Sequence, residues 1–443
     1  AAENPLLPQS QTENPPDEAQ LAIQDDVPAG TRLTVTITAH APDGSSLGNE
    51  VVAFTAPPAP PKAPSWFARQ WPKLNQRQTL WAAALVALSL LIYLSVRLVG
   101  LEEFPIYFFT DEAIQTVSAQ ELVSNQYVSP GGDFMPTYFE NGGQFNLSLS
   151  VYAQVIPYLL FGKSIFVTRA VSVLISLLGA LAVFLMLKNI YRSRWAWTGI
   201  LVLSVTPAWF LHTRTAFETV LATAFYAFFL YAYSMYRSGR PRWLFAAVLA
   251  GALSFYSYSP EQVILVVTAL ALLIADWRYH LRHLRLVGLA FAFALILTIP
   301  YFRFQIVHPD ETKNHLLMLG SYWLDAIPFS EKVGRYLLEY LHGLNPYYWF
   351  RLDPEGLARH MIKGYGYLWL PAAPFAFLGL ILSLTRVRKP EYRTLIIAML
   401  VIPSGAALVE VGITRLLSMV IPYALLTVIG LTWTLDLLAE RIQ

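Results

Sequence analysis

The chain has no cysteine among its 443 residues, which excludes disulfides, thiolate metal sites and a cysteine nucleophile. Charge is scarce too: Asp, Glu, Lys and Arg together make up 14%, against roughly one quarter in an ordinary soluble domain. The formal net charge is only +2 and no basic block approaches a binding patch, so nucleic acid is not an expected partner. A His-Glu-x-x-His zinc motif and a phosphate-binding P-loop are both missing. The first 78 residues hold no signal-peptide core, and the chain opens at Ala1 without methionine, so the expectation is a fragment or a processed form. What is abundant is apolar: 55% of the residues are hydrophobic. Such a composition is that of a polytopic, all-α membrane protein.

Residues 1–27 are rich in Pro, Glu, Gln and Asp and read as disordered. In 28–56, Leu33, Val35 and Ile37 alternate with threonines, and a Pro-Asp-Gly turn leads to a second run through Val51, Val52 and Phe54. That is a β-hairpin signal, and it resembles the last two strands of a fibronectin type III domain. Residues 57–78 form a proline-rich, then basic linker into a membrane domain at 79–443.

Runs near the length of a bilayer-spanning helix fall at 79–99, 167–187, 197–212, 217–236, 243–257, 262–276, 286–302, 366–385, 394–411 and 415–435. A further run, 146–161, is short, carries Asn146, Ser148, Ser150 and Gln154, and is interrupted by Pro157. Basic clusters decide its status, because Lys and Arg in short loops mark the cytoplasmic side. They occur at Arg69, Lys73 and Arg77, at Lys188, Arg192 and Arg194, at Arg237, Arg240 and Arg242, at Arg278, Arg282 and Arg285, and at Arg386, Arg388, Lys389 and Arg393. All fall on one face only if 146–161 lies flat at the interface. The expectation is therefore about ten spans with both ends inside, and large outer loops at 101–166 and 303–365. In the second loop, Ser330 as N-cap and the stripe Val333, Tyr336, Leu337, Tyr340 and Leu341 predict another surface helix.

The chemistry is expected where carboxylates meet that outer surface. Asp111 and Glu112 are adjacent, just beyond the first span. Transfer to a hydroxyl or amine needs a carboxylate to take the acceptor's proton. The competing reading makes Asp111 a helix cap and sets Glu112 at the positive end of that helix. Glu121, ten residues on, reads as a solvated helix residue or a substrate contact. Arg214 and Glu218 are four apart in His-Thr-Arg-Thr-Ala-Phe-Glu, either a surface ion pair or two groups facing one outer cavity. Tyr258 and Glu261 occupy the next outer turn, and Arg415 the last. Arg415 either snorkels to headgroups or binds a phosphate, for which a guanidinium is well shaped. The aromatic residues of 303–365 read as interface anchors or sugar-stacking rings.

The order of these segments carries a resemblance. One span precedes Asp-Glu-Ala-Ile-Gln-Thr-Val-Ser-Ala-Gln-Glu-Leu-Val, a Pro/Asn/Gly loop, and an apolar run ending Leu-Leu-Phe-Gly. Arg-Ala-Val-Ser-Val-Leu-Ile-Ser-Leu-Leu-Gly-Ala and Val-Thr-Pro-Ala-Trp-Phe-Leu-His-Thr-Arg-Thr-Ala-Phe-Glu follow, and Ile-Thr-Arg-Leu-Leu closes the pattern. This resembles the protein O-mannosyltransferase and aminoarabinose-transferase branch of the GT-C glycosyltransferases over about residues 79–300.

The resemblance implies an inverting transferase that takes a sugar from a polyprenyl-phosphate donor on the outer face of a prokaryotic plasma membrane. The acceptor is a protein, lipid or glycan. It implies Asp111 as base with Glu112 its acidic neighbour, Arg214 and Glu218 as the element after the third span, and Arg415 facing the donor phosphate. No cofactor is required, although a divalent cation on Asp111, Glu112 and Glu218 is compatible with the oligosaccharyltransferase branch. Two features depart from the branch: Gly-Gln-Phe-Asn-Leu at 143–147 stands where many members have Lys-Pro-Pro-Leu, and no large inserted outer domain is evident. The rival reading is a lipid-linked sugar flippase or secondary transporter. Such proteins keep ionisable groups near mid-membrane and often show internal repeats, neither of which is apparent here. A non-catalytic scaffold is the third reading.

Overall fold

Apolar length and proline placement set the architecture of the chain, seen in a computed structural model that describes residues 32–55, 76–352 and 356–442. The disorder expected at 1–27 and most of the linker at 57–78 lie outside the described residues. The chain divides into two units, Ala1–Leu74 and Asn75–Gln443. In the first, β1 (Arg32–His40) and β2 (Ser46–Thr55) pair antiparallel from Arg32↔Thr55 to Ala39↔Gly48, the hairpin expected from the alternation. Asp43 closes its turn by accepting hydrogen bonds from Ser45 N (3.0 Å) and Ser45 Oγ (2.6 Å).

The second unit is helical. Its helices are α1 (Gln76–Leu98), α2 (Thr110–Ser124), α3 (Leu149–Phe161), α4 (Ile165–Asn189), α5 (Thr198–Val205) and α6 (Pro207–Thr213). They continue with α7 (Glu218–Arg237), α8 (Trp243–Phe255), α9 (Ser259–Ala275), α10 (Trp277–Arg282), α11 (Leu284–Val307) and α12 (Glu311–Met318). The last are α13 (Phe329–Leu344), α14 (Pro346–Phe350), α15 (Ala373–Thr385), α16 (Pro390–Val401), α17 (Pro403–Ala406), α18 (Ile413–Leu416) and α19 (Val420–Ile442).

By length and composition, 5 stretches among the described residues are long and apolar enough to cross a membrane: Leu80–Leu98, Ile165–Asn189, Glu218–Arg237, Leu284–Val307 and Ile413–Arg441. Other expected spans are shorter helices, and two are broken. Pro207 divides 197–212 into α5 and α6, and Pro403 divides 394–411 into α16 and α17. In both cases the ring removes an N–H from the helical ladder.

Burial ranks the helices. α7 has 89% of its most apolar window buried and runs through the middle, whereas the figure for α11 is 6%, leaving most of its side chains to face outward. Small residues permit the close approaches, as they do between helices in lipid. A Cβ at Gly179 of α4 would come within 3.2 Å of Ala224 Cα in α7, and one at Gly379 of α15 would run into the Leu426 carbonyl of α19.

The loop over 125–148 contains something the pattern did not predict. Between α2 and α3, β3 (Tyr138–Asn141) and β4 (Gln144–Leu147) form a second hairpin, turning at Gly142 and Gly143, both with positive φ. Asn146 therefore lies on a strand, and the helix expected from 146 begins at Leu149. A helix does form where one was expected in 303–365: α13 starts at Phe329, one residue before the predicted cap.

Candidate active site

The site is built around the start of α2. Phe109, not Asp111, is the N-cap, and the Glu112 side chain reaches back to accept from Phe109 N at 3.3 Å. The capping role thus belongs to Glu112. Its carboxylate is fully buried and paired twice with Arg169 of α4, Nε to Oε2 at 2.9 Å and Nη2 to Oε1 at 3.0 Å. Oε2 also accepts from Ala216 N at 3.0 Å. The remaining Arg169 donors go to the carbonyls of Leu101, Pro105 and Tyr107, so all five guanidinium N–H groups are used. One ion pair ties α2, α4 and two loops together.

Asp111 is different. One residue away, its carboxylate is half-buried and has no hydrogen bond or ion pair among the described residues. Gln115, one turn on, donates from Nε2 to the Asp111 backbone carbonyl (3.1 Å) and to Glu218 Oε1 (2.9 Å). Asn146 Nδ2 of β4 reaches the same Glu218 oxygen at 3.5 Å. The Asp111 and Glu218 carboxylates lie close enough to interact electrostatically. Glu218 begins α7.

Arg214 does not join this corner. Its guanidinium closes the end of α1, donating to the carbonyls of Val96, Arg97, Val99, Gly100 and Phe104 at 2.7–3.1 Å. The four-residue spacing to Glu218 fails to make a pair because α7 starts only at Glu218, leaving Arg214 in the preceding turn. On one flank Phe109 stacks on Phe217, with His360 against Phe217 and stacked on His212 (5.3 Å between ring centres). Burial, then the nearby His212 and Arg359, pulls the His360 imidazole down to about 3, so it is neutral at physiological pH.

The other flank carries the second group of predicted residues. Tyr258 lies within electrostatic reach of Arg415, Glu218 and Glu261, and burial pushes its phenol up. Arg415 spends Nη1 on the Glu410 carbonyl (2.9 Å), while Nε and Nη2 have no partner among the described residues. His315 of α12 is close by, held below the usual histidine range by burial and then by the Arg415 charge, with its buried Nδ1 unpartnered. Glu261 stands behind this group, 3% exposed, both oxygens accepting from Ser418 Oγ at 3.0 Å. Glu121 is exposed and, at ten residues along α2, about 15 Å from Asp111.

A family model described as dolichyl-phosphate-mannose-protein mannosyltransferase matches residues 149–303, from α3 into α11. Among solved structures, the chain is similar to ArnT from Cupriavidus metallidurans bound to undecaprenyl phosphate, with TM-score 0.56 and 16% identity over 82% of this chain and 63% of that one. The apo form of the same protein gives TM-score 0.55 and 15% identity over 81% and 60%. The archaeal oligosaccharyltransferase AglB from Archaeoglobus fulgidus, in complex with an inhibitory peptide and a dolichol-phosphate, gives TM-score 0.51 and 13% identity over 83% and 52%. These likenesses show that the chain shares the fold of ArnT and AglB.

The chain spans 60% of the length of apo ArnT and 52% of AglB. A comparison with curated proteins finds no match. A divalent cation on Asp111, Glu112 and Glu218 would have to share Glu112 with Arg169, which takes both of its carboxylate oxygens. Among the described residues no group of ≥ 3 His, Asp or Glu side chains is arranged to hold one. Sequence reasoning missed Arg169, Gln115, Asn146 and His315. Arg169 had a signal, a charge near the start of a long apolar helix; Gln115 and Asn146 are ordinary polar residues until the chain is folded.

Proposed function

We propose that the protein is an integral-membrane glycosyltransferase, moving a sugar from a polyprenyl-phosphate donor to an acceptor on the non-cytoplasmic face with inversion. The observation that carries this reading is the pairing of an uncommitted carboxylate, Asp111, with an uncommitted guanidinium edge, Arg415, on the two flanks of Glu218 and Tyr258. The undecaprenyl phosphate held by ArnT and the dolichol-phosphate held by AglB support the donor class. The basic clusters support about ten spans with both ends inside, and a site facing outward from a prokaryotic plasma membrane.

In this reading Asp111 takes the proton of the acceptor hydroxyl or amine as it attacks the anomeric carbon. The bond from that carbon to the phosphate oxygen breaks, and its electron pair leaves with the phosphate. Arg415 neutralises the departing charge, with neutral His315 and the Tyr258 hydroxyl beside it. Glu218, oriented by Gln115 and Asn146, lines the sugar side. Glu112 does not touch substrate; with Arg169 it fixes the first turn of α2 and so aims Asp111.

Transfer from a polyprenyl-phosphate hexose or pentose, in detergent, tests the reading. Wild type is expected to release sugar from the lipid, and Asp111→Asn to bind lipid but not turn over. Equal turnover in both removes Asp111 from the mechanism. Movement of intact lipid across liposomes without release would replace the transferase with a flippase.

A further inference from the structure

Arg415 follows a stretch, Glu410–Gly412, with no regular secondary structure of its own, lying between α17 and α18. The second outer loop grips the chain just before it. Ser321 Oγ donates to the Leu408 carbonyl at 2.6 Å and Tyr322 Oη to that of Ala407. From α13, Tyr340 Oη donates to Leu400 O at 2.7 Å and Tyr336 Oη, more weakly, to Ser404 O at 3.4 Å. All of these are neutral hydroxyl-to-carbonyl contacts.

Glu339 shares the face of α13 with Tyr336 and Tyr340, but its contact is of another kind. Its Oε2 accepts from Val411 N at 2.8 Å. The carbonyl of that same peptide unit, Glu410 O, accepts from Arg415 Nη1 at 2.9 Å. A trans peptide is planar and points its N–H and C=O in opposite directions. Anchoring the N–H on Glu339 therefore aims the carbonyl at Arg415, and a negative charge on the donor side strengthens the carbonyl as an acceptor. Arg335, one turn back on the helix, pairs with Glu331 at 2.8 Å and lies 3.9 Å from Asp325, and Glu339 makes no ion pair among the described residues.

We propose that Glu339 is a positioning residue for Arg415: through the Glu410–Val411 peptide it sets the pose in which the guanidinium meets the donor phosphate. This rests on the reading of Arg415 as a phosphate contact. In this role Glu339 acts through the peptide it holds, and α13 thereby becomes part of the donor site.

Binding of undecaprenyl phosphate to the full chain in detergent tests this without knowledge of the sugar. Glu339→Ala is expected to raise Kd about tenfold, the size of one charge-assisted hydrogen bond. Glu339→Gln, whose amide oxygen still accepts, should stay within about threefold of wild type. Tyr340→Phe removes a bond from the same helix face and is expected to bind normally; adding Glu339→Ala to Arg415→Gln is expected to cost nothing further. If the alanine variant does not fold, Glu339→Asp, which withdraws the carboxylate by one methylene, takes its place with the same expectation. Wild-type affinity in Glu339→Ala alongside weakened Arg415→Gln overturns the inference and leaves the donor reading intact. Equal losses in Glu339→Ala and Tyr340→Phe overturn it too, by making α13 a purely structural support. Wild-type affinity in Arg415→Gln removes the donor reading itself.

Discussion

At the acidic corner, Glu112 and Arg169 are sealed from water and every guanidinium donor is spent, whereas at the opposite flank Arg415 makes one bond and keeps the rest of its N–H groups uncommitted. The first arrangement is costly to assemble, because both ions lose their hydration, and costly to damage, because either partner left alone is a buried charge. The second holds its charge through a backbone peptide and leaves the guanidinium edge available. The two flanks thus divide the work. Under the proposed function, Asp111 is aimed by a rigid buried pair that it does not join, while Arg415 is itself the group that meets the donor.

The comparison can be broken most sharply at Asp111. Asp111→Asn is expected to lower the transfer rate about 10²–10⁴-fold, the worth of a positioned general base. Because the carboxylate has no hydrogen bond or ion pair among the described residues, the melting temperature should not move; a matching fall in stability would mean that Asp111 is structural after all. Next comes Arg169→Met, expected to destabilise the folded protein by about 3–5 kcal/mol by leaving Glu112 buried and unpaired. Adding Glu112→Gln should recover part of that loss in thermal unfolding in detergent, and failure to recover would show that the pair is not the seat of the effect.

Gln115→Ala sharpens the contrast at smaller scale. It removes one hydrogen bond to Glu218 and one to the α2 backbone, and is expected to slow turnover about tenfold with lipid affinity unchanged. A change confined to lipid affinity would move Gln115 to the other flank. Glu121→Ala, on the exposed side of α2, should alter stability by no more than about 0.5 kcal/mol and leave turnover within about twofold. A large loss there would reopen its role as a substrate contact.

Much of the framework was legible because length and apolarity are local properties. The long runs around 79–99, 167–187, 217–236, 286–302 and 415–435 became long apolar helices, and the Pro-Asp-Gly hairpin formed where alternation placed it. Two proline breaks, at Pro207 and Pro403, were written in the sequence but outweighed by the apolar count. The hairpin of the first loop was signalled by Asn141-Gly142-Gly143, a turn sequence passed over because the residues around it do not alternate strongly.

The site was legible by residue type and not by role. The adjacent acids do sit together at the start of α2, yet nothing local says that Glu112 faces Arg169, 57 residues away, while the Asp111 carboxylate has no hydrogen bond or ion pair among the described residues. Arg214 shows the same limit: its spacing suggested Glu218, and its partners are carbonyls more than a hundred residues earlier. Asn146 lies in the 143–147 stretch, which the resemblance sets against Lys-Pro-Pro-Leu, and it turns an amide toward Glu218.

One seam sets a boundary on how this protein can diverge. At the crossing of α15 and α19, a methyl group on Gly379 would meet the Leu426 carbonyl and one on Gly430 that of Phe375, backbone rather than side chain in each case. Backbone cannot be repacked by a compensating substitution, so the two glycines are inherited together or the crossing is lost. Side-chain contacts such as those around Glu218 can change one residue at a time, while α15 and α19 are held to each other by backbone at both glycines.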